Sequence, residues 1–331
     1  MHSSEAGDNA VNIRLVQRRL SALLPGAQAA GAENTLELGF QSTDAPRLIS
    51  ATVLEGSALV ARAIPGAPEP GFRAFLDGTQ RSRVATYLGA IPVVHGTVAA
   101  VVRERCDRRM QTWGAPVAQS RLYVPRAMLP TATWDVLRAE FGTLLVDTTD
   151  GEADVTSHPL ALRDAAIHRV QAHREAVEQR LAEQWCARES DALFVDGGIS
   201  GSDTVALSAQ AVGVVKSHRT LYAEGDALGV VLSLGEGERT SVFRVTSSKR
   251  TTVASWYVRL RDTSAHDPMW GLVRVEMALP EAAHMAEIGA RADERSRWLL
   301  AEVSPLALPD ARWDKMVYGV RDCEEFLRAI Q

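Results

Sequence analysis

The chain has 331 residues, of which 46% are hydrophobic and 23% charged, so it is long enough to bury one large core or two modest ones. Its 36 Lys and Arg residues against 41 Asp and Glu residues leave a net charge of −5, which gives no overall attraction to nucleic acid. The three cysteines lack CxxC spacing, and no apolar stretch is long enough to span a bilayer. We therefore expect a cytoplasmic protein that does not bind a membrane.

Hydrophobic periodicity predicts helices and strands in a mixed order along the chain. An amphipathic helix is expected at residues 11–24, followed by a stretch with few signals and a possible strand pair at residues 35–40 and 48–54. The further predicted strands are 74–76, 84–92, 93–102, 120–124, 191–196, 212–216, 241–245, 255–260 and 271–277. The further predicted helices are 133–140, 160–187, 205–211, 281–301 and 315–330.

This order of elements favours an α/β fold in which helices flank a mixed sheet. We expect residues 1–70 to form a helix with an irregular or strand-containing extension. Residues 71–331 are expected to form the main domain.

Two aspartates are predicted to follow short buried strands. Asp77 begins the sequence Asp-Gly-Thr after the apolar residues 74–76, and Asp196 begins Asp-Gly-Gly after the apolar residues 193–195. Strand ends are where α/β proteins commonly place their functional residues. An ordinary turn is the alternative, because Asp-Gly is a common turn dipeptide.

The long helix at residues 160–187 carries two charged side chains near its apolar stripe. Arg174 falls close to the middle of the stripe formed by Ile167, Val170, Val177, Leu181 and Trp185, and Glu178 falls about 50° from its centre. Ions on a packed face need partners. The alternative is an ordinary ion pair four residues apart at the border of the stripe, without a functional role.

Carboxylates from two strand ends and a packed helix supply the oxygen ligands that hard divalent cations prefer. Two such ions can stabilise both the attacking and the leaving oxygen in phosphodiester cleavage. Asp77, Glu178 and Asp196 are therefore the candidate metal ligands of a nuclease.

In order and spacing, these motifs resemble the NurA nuclease family, which works with the HerA translocase. The resemblance rests on residues 75–79, 174–178, 193–197 and 212–216, followed by residues 256–260 and 273–276, and it spans about residues 70 to 330. It implies an RNase H-like fold and a Mn²⁺- or Mg²⁺-dependent DNA nuclease. It also implies a homodimer that docks on a hexameric HerA-type ATPase in DNA end processing or phage defence.

Carried over residue by residue, the resemblance makes Asp77, Glu178 and Asp196 metal ligands and places Lys216 and Tyr257 near the scissile phosphate. The family ends with a histidine that corresponds here to Glu324, with Asp322 as a nearby alternative. Because a carboxylate also binds metal, we retain Glu324 as a catalytic candidate.

The region between residues 239 and 261 is rich in basic residues and contains no acid, with Trp256 and Tyr257 among them. Phosphate contacts combined with base stacking use this mixture, and a solvated hairpin with one charged face is the alternative. The candidate DNA-binding residues are Arg174, Arg244, Lys249, Arg250, Tyr257 and Arg259.

Two other functions remain open. A catalytically degenerate subunit would clamp DNA or scaffold a translocase without cleaving, and the departure at Glu324 supports this alternative. An ATPase of the actin-like or sugar-kinase type would use residues 195–201 as a phosphate loop, although Asp77 and Gly78 are adjacent rather than separated as in that class.

Overall fold

The computed structural model describes residues 13–24, 26–29, 45–107, 109–151, 156–248, 250–263, 266–280, 284–303 and 317–330. The α-helices are α1 (Ile13–Leu23), α2 (Thr131–Phe141), α3 (Pro159–Arg188), α4 (Asp203–Ala206), α5 (Asp226–Leu232), α6 (Met285–Val303) and α7 (Tyr318–Ile330). The strands are β1 (Ala27–Ala29), β2 (Arg47–Leu48), β3 (Thr52–Val53), β4 (Ala61–Ala63), β5 (Ala74–Leu88), β6 (Ile91–Cys106), β7 (Arg109–Val124), β8 (Leu145–Asp147), β9 (Leu193–Asp196), β10 (Ala211–Val215), β11 (Thr220–Leu221), β12 (Glu238–Thr240), β13 (Phe243–Ser247), β14 (Arg250–Arg259) and β15 (Leu272–Ala278).

A mixed sheet of 13 strands dominates the fold, and its main path runs β3-β13-β14-β15-β10-β9-β5-β6-β7-β8. Strands β5, β6 and β7 form an antiparallel meander. Strand β9 runs parallel to β5, and β10 runs parallel to β9. The predicted α/β fold with helices flanking a mixed sheet is confirmed.

Helices cover both faces of the sheet because alternate residues of its strands point to opposite sides. Helix α3 packs on one face, and its predicted apolar stripe is buried. Helices α6 and α7 pack on the other face, where Phe75 and Phe194 meet the apolar side of α7. A third cluster joins α1 and α2 to the meander.

The segment before residue 71 contributes strands to the same sheet. Strand β1 pairs with β5, β3 with β13, and β4 with β12. The predicted strand at residues 48–54 is divided between β2 and β3, and the one at residues 35–40 lies outside the described residues.

The structure corrects the prediction that a strand ends at Asp77. The expected strands at residues 74–76 and 84–92 belong largely to one strand, β5, and the turn lies at Gly89, whose φ is +62°. Asp77 pairs with Val101 of β6, and the next two residues continue the ladder. The unbroken partner strand therefore overrides the local turn preference of Asp-Gly.

The helix predicted at residues 205–211 is also corrected. Helix α4 ends at Ala206, and Ala211 already begins β10. Ser202 caps this single turn by accepting a hydrogen bond from the Val205 amide. The other predicted helices within the described residues are present with small shifts of their ends.

Candidate active site

Parallel pairing of β5 with β9 brings the two aspartates side by side. Leu76 is aligned with Val195, so the next residue of each strand is Asp77 or Asp196. Asp77 is buried and its carboxylate accepts a hydrogen bond of 2.8 Å from the Gly78 amide. Asp196 ends β9 and stays partly exposed. The sheet register thus builds the acidic pair that the sequence suggested, although Asp77 lies inside its strand.

Glu178 reaches this pair from α3 across Gly78. A Cβ atom at position 78 would overlap the Glu178 carboxylate, so the missing side chain creates the space that the carboxylate occupies. Arg174 Nη1 lies 2.6 Å from Glu178 Oε1, and Arg174 Nε donates to Gln80 Oε1 at 3.1 Å. The predicted inward-facing pair on the long helix is therefore present.

Burial and mutual repulsion raise the pKa values of two of the carboxyls. Burial raises the pKa of Asp77 to about 8, and the negative charges of Asp196 and Glu178 add to this while Lys216 opposes it. Burial also raises the pKa of Glu178 to about 7, with Arg174 opposing and Asp196 contributing. The three acids are therefore close enough to influence one another electrostatically.

Lys216 follows β10 and reaches the acidic group. Its Nζ lies 2.8 Å from Asp196 Oδ2, because β10 runs parallel to β9 at this point. The lysine neutralises part of the charge of Asp196. Its position agrees with a role beside the acids.

The carboxy-terminal candidates lie on α7 behind β5. Glu324 is buried, with Arg328 Nη2 at 3.4 Å from Oε2. Asp322 instead lies 2.5 Å from Arg103 Nε. Between them, Cys323 donates to the Phe75 carbonyl at 3.3 Å, and burial and the negative charge of Asp77 raise the pKa of its thiol. Helix α7 therefore packs close to Asp77, and Asp322 is committed to an ion pair.

A cavity of about 400 Å³ opens beside the acids. We call it the acidic cavity, because Glu175, Glu178 and Asp196 line it. Arg174 and Arg250 also line it. Much of its wall is formed by the loop that follows β9, residues 197–202.

The structure divides the predicted DNA-binding residues into three groups. Arg174 and Arg250 line the acidic cavity, and Arg244 is exposed on β13. Lys249 lies outside the described residues. Tyr257 and Arg259 are buried and do not lie on a surface that DNA reaches.

The burial of Tyr257 and Arg259 corrects the sequence analysis. The Tyr257 hydroxyl accepts from the Tyr222 amide at 2.9 Å, and Arg259 donates to three backbone carbonyls, those of Leu232, Leu234 and Trp270. Strand β14 lies between β13 and β15, and its last seven residues are all buried. Tyr257 and Arg259 therefore support the core.

Sequence reasoning assigned no role to Glu276, which anchors the loop after β9. Its Oε2 accepts from the Ile199 amide at 2.8 Å, and its Oε1 lies 2.6 Å from Arg274 Nη1. The sequence signal was an acid and a basic residue two positions apart inside a mainly apolar strand, because buried ions require partners. Glu276 therefore fixes one wall of the acidic cavity.

The donor chemistry fits a divalent cation, because three neighbouring carboxyl groups supply hard oxygen ligands. Within the described ranges, however, no three His, Cys, Asp or Glu side chains are already arranged to hold one ion. Glu178 and Asp196 instead face Arg174 and Lys216. Cation binding thus requires these two acids to exchange their ion pairs for metal contacts.

Comparison with protein-family models gave no match, and a search of curated proteins gave no significant relative. In the parts of the chain that the structure describes, every helix is too short or too polar to cross a bilayer.

Proposed function

We propose that this protein is a divalent-cation-dependent DNA nuclease that cleaves single strands, by endonucleolytic or exonucleolytic hydrolysis of phosphodiester bonds. The observation that carries the proposal is the shared electrostatic environment of Asp77, Glu178 and Asp196 beside a cavity that also presents two arginines. Buried acids with strongly shifted pKa values are more common at functional sites than elsewhere.

Asp77, Glu178 and Asp196 would hold Mg²⁺ or Mn²⁺. The cation would supply Lewis-acid stabilisation of the charge that develops on phosphate oxygens. Arg174 and Arg250, which line the same cavity, would bind the phosphate backbone through charged hydrogen bonds. Lys216 would stay near the reacting phosphate after its partner Asp196 turns to the cation.

The NurA resemblance extends the proposal beyond the site. It supports an RNase H-like fold, and the meander β5-β6-β7 followed by parallel β9 and β10 agrees with that expectation. A homodimer, a HerA-type translocase partner, cytoplasmic localisation and a role in end processing or phage defence rest on the resemblance alone. Glu324 retains its candidate role at the position of the family's histidine.

One observation favours a catalytically degenerate scaffold as the second candidate. Two of the three acids are neutralised by Arg174 and Lys216, which is also how a purely structural cluster is stabilised. The ATPase alternative is weaker, because Gly78 lies inside a strand and Glu178 covers it.

Cleavage of a labelled single-stranded oligonucleotide tests the proposal. Full-length protein is expected to cleave with Mn²⁺ and not with EDTA, and Asp196→Ala is expected to lose cleavage. Asp191→Ala is the matched control, because Asp191 is exposed two residues before β9 begins and does not line the cavity. Absence of cleavage by wild-type protein, or equal cleavage by Asp196→Ala and wild type, would favour the scaffold.

A further inference from the structure

A second cavity, of about 470 Å³, adjoins the acidic cavity. Gly198 and Arg250 line both cavities. The loop of residues 197–202 separates them, and the Thr251 amide holds this loop by donating to the Ser200 carbonyl at 3.0 Å. The two cavities are therefore neighbouring compartments divided by one anchored loop.

The charge of the second cavity is opposite to that of the first, and we call it the basic cavity. Four arginines line it, Arg47, Arg219, Arg250 and Arg274, together with a single acid, Glu276. Glu276 is already bonded to Arg274 and to the Ile199 amide. Four arginines against one acid give the lining of this cavity a net positive charge, which attracts an anionic ligand.

Two chain segments far apart in sequence build the basic cavity. Strands β2 and β11 pair in parallel, and the Arg47 amide donates to the Arg219 carbonyl at 2.8 Å. The Arg47 side chain donates from Nε to Thr220 Oγ1 at 3.1 Å. This pairing fixes the backbone that carries Arg47 and Arg219, so two cations come together at one wall.

Contacts of the Arg274 side chain fix another part of the cavity wall. The Arg274 guanidinium carbon lies 5.2 Å from the centre of the Tyr222 ring, and Arg274 Nη1 donates to Ser255 Oγ at 3.1 Å. Serine and threonine hydroxyls supply further hydrogen-bonding groups along the wall. Guanidinium and hydroxyl groups together are the side chains that bind phosphate oxygens.

We propose that the basic cavity binds the phosphodiester backbone of a single strand whose scissile phosphate lies in the acidic cavity. Arg250, which lines both, contacts the strand where it passes from one compartment to the other. The identity of the ligand as DNA rests on the proposed nuclease function. Because phosphate contacts carry no sequence information, this binding is independent of base sequence.

The test measures binding without cleavage. Fluorescence anisotropy of a labelled single-stranded DNA oligonucleotide is titrated with full-length protein in EDTA at several salt concentrations. The double variant Arg47→Ala/Arg219→Ala removes two cations of the basic cavity and leaves the acidic cavity intact. We expect affinity to fall about tenfold or more, and the slope of log K against log salt to decrease by about 1.4, which is 0.7 for each lost phosphate contact.

Two further variants serve as controls. Arg18→Ala/Arg138→Ala removes the same charge from exposed positions on α1 and α2 and is expected to bind like wild type. Arg47→Lys/Arg219→Lys keeps the charge and is expected to retain most of the salt dependence. Thermal unfolding and circular dichroism establish that each variant is folded.

The outcomes separate this inference from the nuclease proposal. Equal affinity and equal salt slope for the Arg47→Ala/Arg219→Ala variant and wild type would overturn the inference, even if Mn²⁺-dependent cleavage is observed. Lack of measurable DNA binding by wild type would also overturn it. Specific loss of binding in that variant would support it even if the protein does not cleave.

Discussion

At the residue scale, Gly78 shows how one missing side chain shapes the candidate site. It lies in β5 opposite Glu178, and its lack of a Cβ atom lets the carboxylate approach the strand backbone. Arg174 holds that carboxylate from the other side at 2.6 Å. Strand and helix therefore position Glu178 jointly.

Replacing Gly78 with alanine should disturb function more than folding. The methyl group would displace the Glu178 carboxylate, so we expect Mn²⁺-dependent cleavage to fall more than tenfold while the free energy of unfolding falls by about 1–3 kcal/mol. Cleavage rates and urea denaturation measure the two effects.

Gly201→Ala provides the control, because Gly201 lines the acidic cavity, as Glu178 does, and the new Cβ atom would lie 3.8 Å from Gln179 Oε1, an ordinary contact. Equal cleavage by the two alanine variants would show that the space at Gly78 does not position Glu178.

His173 gives a pH-dependent contribution to stability. Its Nδ1 lies 2.9 Å from the Tyr123 hydroxyl and its Nε2 lies 2.7 Å from Gln119 Oε1, as expected for a neutral ring that accepts from tyrosine and donates to glutamine. Partial burial, with the charges of Arg121 and Arg180, lowers the pKa of His173 from 6.5 to about 4.

Between these two pKa values the unfolded chain binds the proton more readily than the folded chain. The contribution of His173 is therefore present above pH 6.5 and is lost as the pH falls towards 4. His173→Gln should flatten the decline in unfolding free energy between pH 6.5 and 4, measured by urea denaturation. His284→Gln, at an exposed position, is the control and should show the same decline as wild type. An equal decline in His173→Gln would contradict this assignment.

At the element scale, periodicity predicted the long helix and its buried stripe well, because helix packing follows a local repeat. The strand end predicted at Asp77 was wrong, because pairing with the long strand β6 continues β5 through Asp77 and Gly78. The burial of Tyr257 and Arg259 could not be predicted from the sequence, since it depends on which strands flank β14. The basic cavity could not be predicted either, because two of its four arginines, Arg47 and Arg219, come together only through the pairing of β2 with β11.

Helix α1 packs on its own sheet through one face. Leu20 is fully buried against the meander, whereas Leu15 on the other face is 46% exposed. Leu20→Ala should therefore lower the free energy of unfolding by about 2–5 kcal/mol, because it leaves a cavity in the core. Leu15→Ala makes the same change in helix propensity but should alter stability by less than about 1 kcal/mol.

Chemical denaturation of the two variants measures this difference. A similar, large loss for both would show that Leu15 is also covered, as expected if α1 contacts a second subunit.

At the scale of the whole molecule, two oppositely charged cavities lie on either side of one loop. The acidic cavity depends on β9, α3 and, behind them, β5, and the basic cavity depends on the segment before residue 71 as well as on β14 and β15. A nuclease needs both features, since cations require acids and the substrate backbone requires positive charge. Both cavities therefore draw on the part of the sheet that runs from β13 to β9.

The central claim is that Asp77, Glu178 and Asp196 act together as one cation site. Titration of full-length protein with Mn²⁺ at pH 8, followed by the electron paramagnetic resonance signal of the free ion, tests it most directly. We predict that wild type binds Mn²⁺, that Asp196→Asn weakens binding at least about tenfold through loss of one charged ligand, and that Asp191→Asn does not. Equal Mn²⁺ binding by wild type and Asp196→Asn, or no binding by wild type, would contradict the account.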